Sequence, residues 1–220
     1  MKRPIRILCF GDSNTWGYIP NTDHERYNNN ERFPKVLQKL LGNTYEIIEE
    51  GLNSRTLISE DTRPGKEGRN GSLYLIPCLD THDPLDMVIL MLGTNELKEI
   101  FHNSAEKIGA TLEKYFVKVI LNRKSQFMNT TPKLLIISPT MIDESQGTAR
   151  DVFKGSNIKS KKLGSIYKDI AKRNQCYFID ASQLKVGSDG VHMTKESHSI
   201  LAKELYKIIK AIDFPNKKSP

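Results

Sequence analysis

Two kinds of hydrophobic patterning alternate along the chain. Five short runs, at residues 5–10, 45–49, 87–92, 134–138 and 176–179, carry Ile, Leu and Val at consecutive rather than alternate positions. Such runs predict strands buried on both faces, as in a parallel sheet. Between them apolar residues recur at helical spacing. Phe33, Val36, Leu37, Leu40 and Leu41 make one stripe, closed by Gly42. Residues 104–123 open on a weak Ser-Ala-Glu-Lys cap and place Ile108, Leu112, Phe116, Val119 and Ile120 along one side. Residues 160–173 and 195–212 are two further amphipathic runs. Strands alternating with helices predict an α/β fold with helices on both faces of a parallel sheet.

Three connections exceed the usual loop length: 11–30, 51–71 and 139–157. Long loops in a compact domain tend to carry function, and the first two follow strands, where open parallel sheets bind ligands. No repeat, low-complexity tract or linker interrupts the pattern. Residues 1–215 therefore read as one domain, and 216–220 as a frayed tail.

Composition narrows the class. The 220 residues are 38% hydrophobic and 27% charged, ordinary for a globular protein, and a chain this long buries about 70% of its surface without staples. A disordered tail protein, a collagen-like chain and a disulfide scaffold are excluded. No run approaches the roughly 18 apolar residues of a membrane span. The basic N-terminus leads only into a short apolar run broken by Arg6, which lacks a signal-peptide core. A cytoplasmic protein without a membrane partner is expected. Cys9, Cys78 and Cys176 are too few and too far apart for a zinc knuckle or disulfide framework, and read as free thiols in apolar surroundings. No His, Cys and carboxylate cluster has ligand spacing, so no metal is expected.

The formal net charge is +7, and eight basic residues fall within 150–173 against Asp151 and Asp169. No aromatic interleaving or base-reading motif accompanies them, so the segment reads as a solvated face and no nucleic-acid partner is expected. Salt-sensitive nucleic-acid binding is the competing reading.

The first strand ends in Gly11-Asp12-Ser13-Asn14-Thr15-Trp16-Gly17. A turn of this kind suits a phosphate nest, as in flavin mononucleotide sites, a simple helix cap, or a nucleophilic serine. The P-loop and dinucleotide motifs are both absent. A nucleophilic serine needs a base and an orienting group. His24, His82, His102 and His198 read as surface, capping or packing residues. His192 differs, because it belongs to Ser188-Asp189-Gly190-Val191-His192-Met193-Thr194, just before the last helix. Asp189 can accept from its Nδ1–H, which leaves Nε2 free for a proton; a purely structural turn is equally available. An oxyanion hole is the third requirement. Asn95 follows the third strand and can donate its side-chain N–H, while Gly51 follows the second with an unobstructed backbone N–H. Each alone is an ordinary turn residue. Four on one carboxyl edge of one sheet are harder to dismiss.

In order, Gly-Asp-Ser-Asn, Gly51, Gly-Thr-Asn and Asp-Gly-Val-His match the four signature blocks of the SGNH hydrolases, also called the GDSL lipase and acylhydrolase family. The chain resembles that family over nearly its full length. It is most similar to the small bacterial arylesterase-like branch through Gly-Asp-Ser-Asn-Thr-Trp-Gly-Tyr, the 50–56 stretch Glu-Gly-Leu-Asn-Ser-Arg-Thr, and the long block ending at Asn95. The resemblance implies a flavodoxin-like three-layer α/β/α sandwich with a five-stranded parallel sheet. It implies Ser13 as nucleophile, His192 as general base and acid, and Asp189 as its orienter. The implied oxyanion donors are the Ser13 and Gly51 backbone N–H groups and the Asn95 side chain. The expected activity is serine esterase cleavage of short acyl esters, aryl or carbohydrate acetyl esters included, without a cofactor. Thioesterase and acyltransferase chemistry share the site, and some relatives assemble as homo-oligomers. Glu96 departs from the branch, which carries Asp there. An α/β-hydrolase is excluded because no Gly-x-Ser-x-Gly elbow occurs. Trp16, Tyr18, Ile142 and Phe153 are the expected walls of the substrate pocket. A flavin- or nucleotide-binding module is the remaining alternative.

Overall fold

The computed structural model describes residues 3–214. Its five strands are β1 (Ile5–Gly11), β2 (Tyr45–Gly51), β3 (Met87–Met91), β4 (Lys133–Ile137) and β5 (Tyr177–Ile179). All neighbours pair in parallel, in the order β2-β1-β3-β4-β5. This is the flavodoxin-like order, with its switch point between β1 and β3.

Consecutive strand side chains point to opposite faces, so each strand feeds two cores. Leu8, Phe10, Val88, Leu90, Leu134 and Ile136 face one side. They pack under α3 (Gly71–Thr81), the helical stretch α4 (Ala105–Leu112) and α5 (Lys118–Asn122), and α7 (Ser156–Arg173). Ile7, Cys9, Met87, Ile89, Met91, Leu135 and Ile137 face the other, under α2 (Phe33–Leu41) and α8 (Lys195–Ala211). All five β3 residues are buried. Each large apolar side chain so buried contributes about 1.5–3 kcal/mol, which makes the central strands the rigid floor of the molecule. The three-layer sandwich follows.

Strand ends differ from the sequence expectation by one or two residues. Larger differences lie in the helices. α3 has no amphipathic stripe: Leu73, Tyr74 and Ile76 are exposed, Leu75, Cys78 and Leu79 are buried, and Pro77 sits inside it. The 104–123 run contains a π-helical turn, Glu113–Val117, between α4 and α5. α7 begins at Ser156, where the third long loop has already formed a short helix, α6 (Gly147–Val152). Residues 216–220, expected to fray, lie outside the described residues.

Candidate active site

The carboxyl ends of β1 and β3 flank the switch point, and the candidate residues gather there. β1 runs into a single-turn helix, α1 (Ser13–Trp16). The Asp12 side chain caps it by accepting the Asn14 N–H at 3.0 Å, and Gly17 ends it at φ 91°, a left-handed conformation open to glycine. Ser13 is thereby held at the first helical position, directly past the sheet edge.

Ser13 and His192, 179 residues apart in sequence, meet at this edge: Nε2 lies 2.9 Å from Ser13 Oγ. Nδ1 lies 2.5 Å from Asp189 Oδ2. Burial alone would raise the Asp189 carboxyl, but hydrogen bonds from the His192 ring and from the Val191 and His192 N–H groups outweigh it and hold the carboxyl below its ordinary range. An ionised Asp189 accepts from Nδ1–H, so Nε2 carries the lone pair toward the Ser13 hydroxyl. The Tyr18 ring stacks on the imidazole, centroids 4.3 Å apart. Asn14 steadies the loop from the other side. Its Oδ1 accepts the Met193 N–H at 2.8 Å and its Nδ2 lies 3.5 Å from the Val191 carbonyl, one contact on either side of His192.

Asn95 enters from the short 3₁₀ turn after β3. One of its amide hydrogens goes to the Arg55 carbonyl at 3.0 Å, and the side chain also lines the cavity above Ser13. The next residue does more anchoring. Glu96 Oε1 accepts the backbone N–H groups of Leu57, Ile58 and Ser59 at 2.6, 3.0 and 3.2 Å. Its Oε2 takes the Ser59 hydroxyl and, at 2.8 Å, the Asn103 amide. The extra methylene relative to Asp is thus used to reach the loop after β2.

Gly51 sits elsewhere than expected. Leu52 donates its N–H to the Gly11 carbonyl, and N–H directions alternate along a strand, so Gly51 turns its own N–H away from β1. Glycine is required there for space: a Cβ would lie 2.2 Å from the Trp16 backbone nitrogen. Ser54 lines the same cavity as Ser13 and Asn95, at φ 65°. A left-handed serine is a strained, uncommon conformation of the kind that collects at functional sites. Among the described residues its N–H enters no backbone hydrogen bond. Nothing in the residue type signals Ser54; its position emerges only from the bonds that Asn95 and Glu96 make to 55–59.

The cavity has a volume of about 190 Å³. Of the four expected walls, Tyr18 and Phe153 line this cavity; Trp16 and Ile142 do not. Trp16 is covered by the Arg26 guanidinium, 5.1 Å from its ring, and its carbonyl accepts from Arg26 Nε at 2.6 Å. Ile142 is fully buried in the core that includes Phe153 and Val191, a support rather than a wall. Sequence reasoning missed three lining cations, Arg63, Lys66 and Lys98.

Other features stand apart from the site. Cys9 and Cys78 are buried and Cys176 half-buried, all as free thiols. The fold does bring one ligand-like trio together: Glu50, Cys78 and His82 present atoms within 4.8 Å of one another. Glu50 is already bonded to His82 Nε2 at 2.8 Å, and burial pushes the Cys78 thiol up to about 12. The trio is a polar brace between β2 and α3. In the 150–173 segment Arg150, Lys154, Lys161, Lys162, Lys168, Lys172 and Arg173 are exposed around α6 and α7. No helix among the described residues is long and apolar enough to cross a membrane.

The chain belongs to the GDSL-like lipase/acylhydrolase family, whose model matches residues 9–200. It is a carboxylic ester hydrolase. Among solved structures it is similar to an M. smegmatis aryl esterase, at 34% identity and a TM-score of 0.85 over 94% of this chain and 98% of that one. It is also similar to Est24, a carbohydrate acetylesterase from Sinorhizobium meliloti, at 34% identity and a TM-score of 0.84 over 96% and 99%. A lipase/acylhydrolase from Enterococcus faecalis, at 16% identity and a TM-score of 0.65 over 97% and 99%, shares the fold. No curated protein matches the sequence significantly.

Proposed function

We propose that the protein is a serine esterase for short acyl esters, working through an acyl-enzyme on Ser13. The observation that carries this reading is the unbroken line from Asp189 through the His192 ring to Ser13 Oγ, with 2.5 and 2.9 Å steps. His192 Nε2 takes the hydroxyl proton as Oγ attacks the acyl carbon. The resulting imidazolium is stabilised by Asp189. Negative charge moves onto the carbonyl oxygen, where the backbone N–H groups of Ser13 and Ser54 and the second amide hydrogen of Asn95 receive it. His192 then gives its proton to the departing alcohol, and water repeats the sequence on the acyl-enzyme, releasing the acid and restoring Ser13. A cavity of about 190 Å³ suits a short acyl group. The relatives named above make aryl acetates and acetylated sugars the first substrates to try.

Treatment with a fluorophosphonate, followed by peptide mass analysis and p-nitrophenyl acetate kinetics, tests the reading. A single adduct on Ser13 with matching loss of hydrolysis is expected, and Ser13→Ala should prevent both. Full hydrolysis by Ser13→Ala in a clean preparation would refute the nucleophile.

A further inference from the structure

The cavity wall carries more positive charge than an acetyl ester needs. Arg63, Lys66 and Lys98 line it, and Asp61 is the carboxylate that faces two of them. Asp61 takes Arg63 Nε at 2.8 Å and Nη2 at 2.5 Å, which holds its carboxyl far below the ordinary range. The same carboxylate is 3.4 Å from Lys98 Nζ, a long contact for an ammonium that is only 4% exposed. A buried cation with half a counterion is costly. Burial, with Arg63 adding to it, draws the Lys98 ammonium down to about 8. Lys66 brings a third charge, and among the described residues no carboxylate lines the cavity to meet it.

The placement of these cations is built in. Arg63-Pro64-Gly65-Lys66 is a tight turn closed by the Lys66 N–H on the Arg63 carbonyl at 3.1 Å, with Gly65 at φ 74°. Proline second and a left-handed glycine third are the requirements of a type II turn. The turn fixes Arg63 and Lys66 as neighbours on one rim, and Lys98 stands three residues past Asn95. A surplus of two positive charges beside the reacting centre has a natural complement.

We propose that the ester cleaved here carries an anionic group, a carboxylate or phosphate, held by Lys66, Lys98 and Arg63 while Ser13 attacks the acyl carbon. This inference rests on the acyl-ester reading above. A general field that merely steadies the oxyanion would speed charged and neutral esters alike, so the ratio between matched substrates separates the two effects.

Two matched pairs supply that ratio. Mono-(4-nitrophenyl) adipate against its methyl ester places the charge on the acyl portion. 4-Acetoxybenzoate against its methyl ester places it on the alcohol portion. Rates are corrected with Ser13→Ala as the blank. In at least one pair the anionic ester should show kcat/KM about tenfold higher at low salt. That preference should shrink with added NaCl and in Lys66→Gln and Arg63→Gln. Which pair responds identifies the portion that bears the charge. Equal rates in both pairs, or a preference untouched in both variants, overturns the proposal while turnover of the neutral esters keeps the esterase reading intact. Folded protein that cleaves none of the four esters removes the esterase reading and this proposal with it.

Discussion

The Glu96 carboxylate accepts the Leu57 backbone N–H at 2.6 Å, and through it the turn after β3 holds the loop after β2. Five donors converge on this one buried side chain. Removing it leaves those donors without partners, at about 1–3 kcal/mol for each that water fails to reach. Glu96→Ala should therefore lower stability by about 3 kcal/mol, or roughly 6–12 °C in Tm for a chain of this size. Turnover should fall with it, because Ser54 and Arg55 lie just before the anchored segment. Denaturant titration and p-nitrophenyl acetate kinetics read both effects. A change below 1 kcal/mol would show that Glu96 does not hold the loop.

Asn95 makes a separate, chemical prediction. Its Arg55 contact uses one amide hydrogen, which leaves the other for the oxyanion in the proposed mechanism, and Asn95 lines the same cavity as Ser13. Asn95→Ala should cost on the order of 10²–10³ in kcat, the range for one lost oxyanion donor, with a much smaller change in KM. Steady-state kinetics decide it, and a loss below threefold removes Asn95 from the oxyanion hole.

Gly51 makes a packing prediction rather than a chemical one. Gly51→Ala keeps the backbone N–H but places a methyl 2.2 Å from the Trp16 nitrogen, against backbone that carries Ser13. Overpacking of this kind costs about 1–3 kcal/mol, and displacement of α1 should reduce turnover in step. Were Gly51 instead an oxyanion donor with free space around it, the alanine would be nearly silent. Unchanged denaturation midpoints for Gly51→Ala would sink the packing account.

Residues 87–91 announce a central strand because every one is apolar, and the fold buries them all. Ser13, Asn95, Asp189 and His192 are legible as strand-end and loop motifs, since the switch point of a parallel sheet collects such ends. Gly51 misleads because the direction of an N–H depends on ladder register, which a single strand does not encode. Ser54 is invisible because a serine does not announce a left-handed backbone, and no glycine stands there to mark one. α3 escapes the periodicity test because apolar residues surround its axis. Arg63, Lys66 and Lys98 reach the cavity only through a turn whose destination is a tertiary matter.

His198 links the fold to acid stability. It lies on α8 between Phe33 and Tyr27, and its Nδ1 accepts the Phe33 N–H at 3.3 Å, serving as the cap that Arg32 does not provide for α2. Burial, with the His192 charge adding to it, draws the ring from its ordinary 6.5 down to about 3. Between those values the unfolded chain binds a proton that the folded protein refuses. Stability contributed by the neutral ring is therefore complete above pH 6.5 and lost progressively as pH falls toward 3, at up to about 1.4 kcal/mol per pH unit. His198→Asn retains an oxygen acceptor for the Phe33 N–H and removes the titration. It should be less stable at pH 7 through lost ring packing, yet its urea midpoint should fall more gently between pH 6.5 and 4. Parallel pH curves for the two proteins would mean that His198 takes up its proton without unfolding the site.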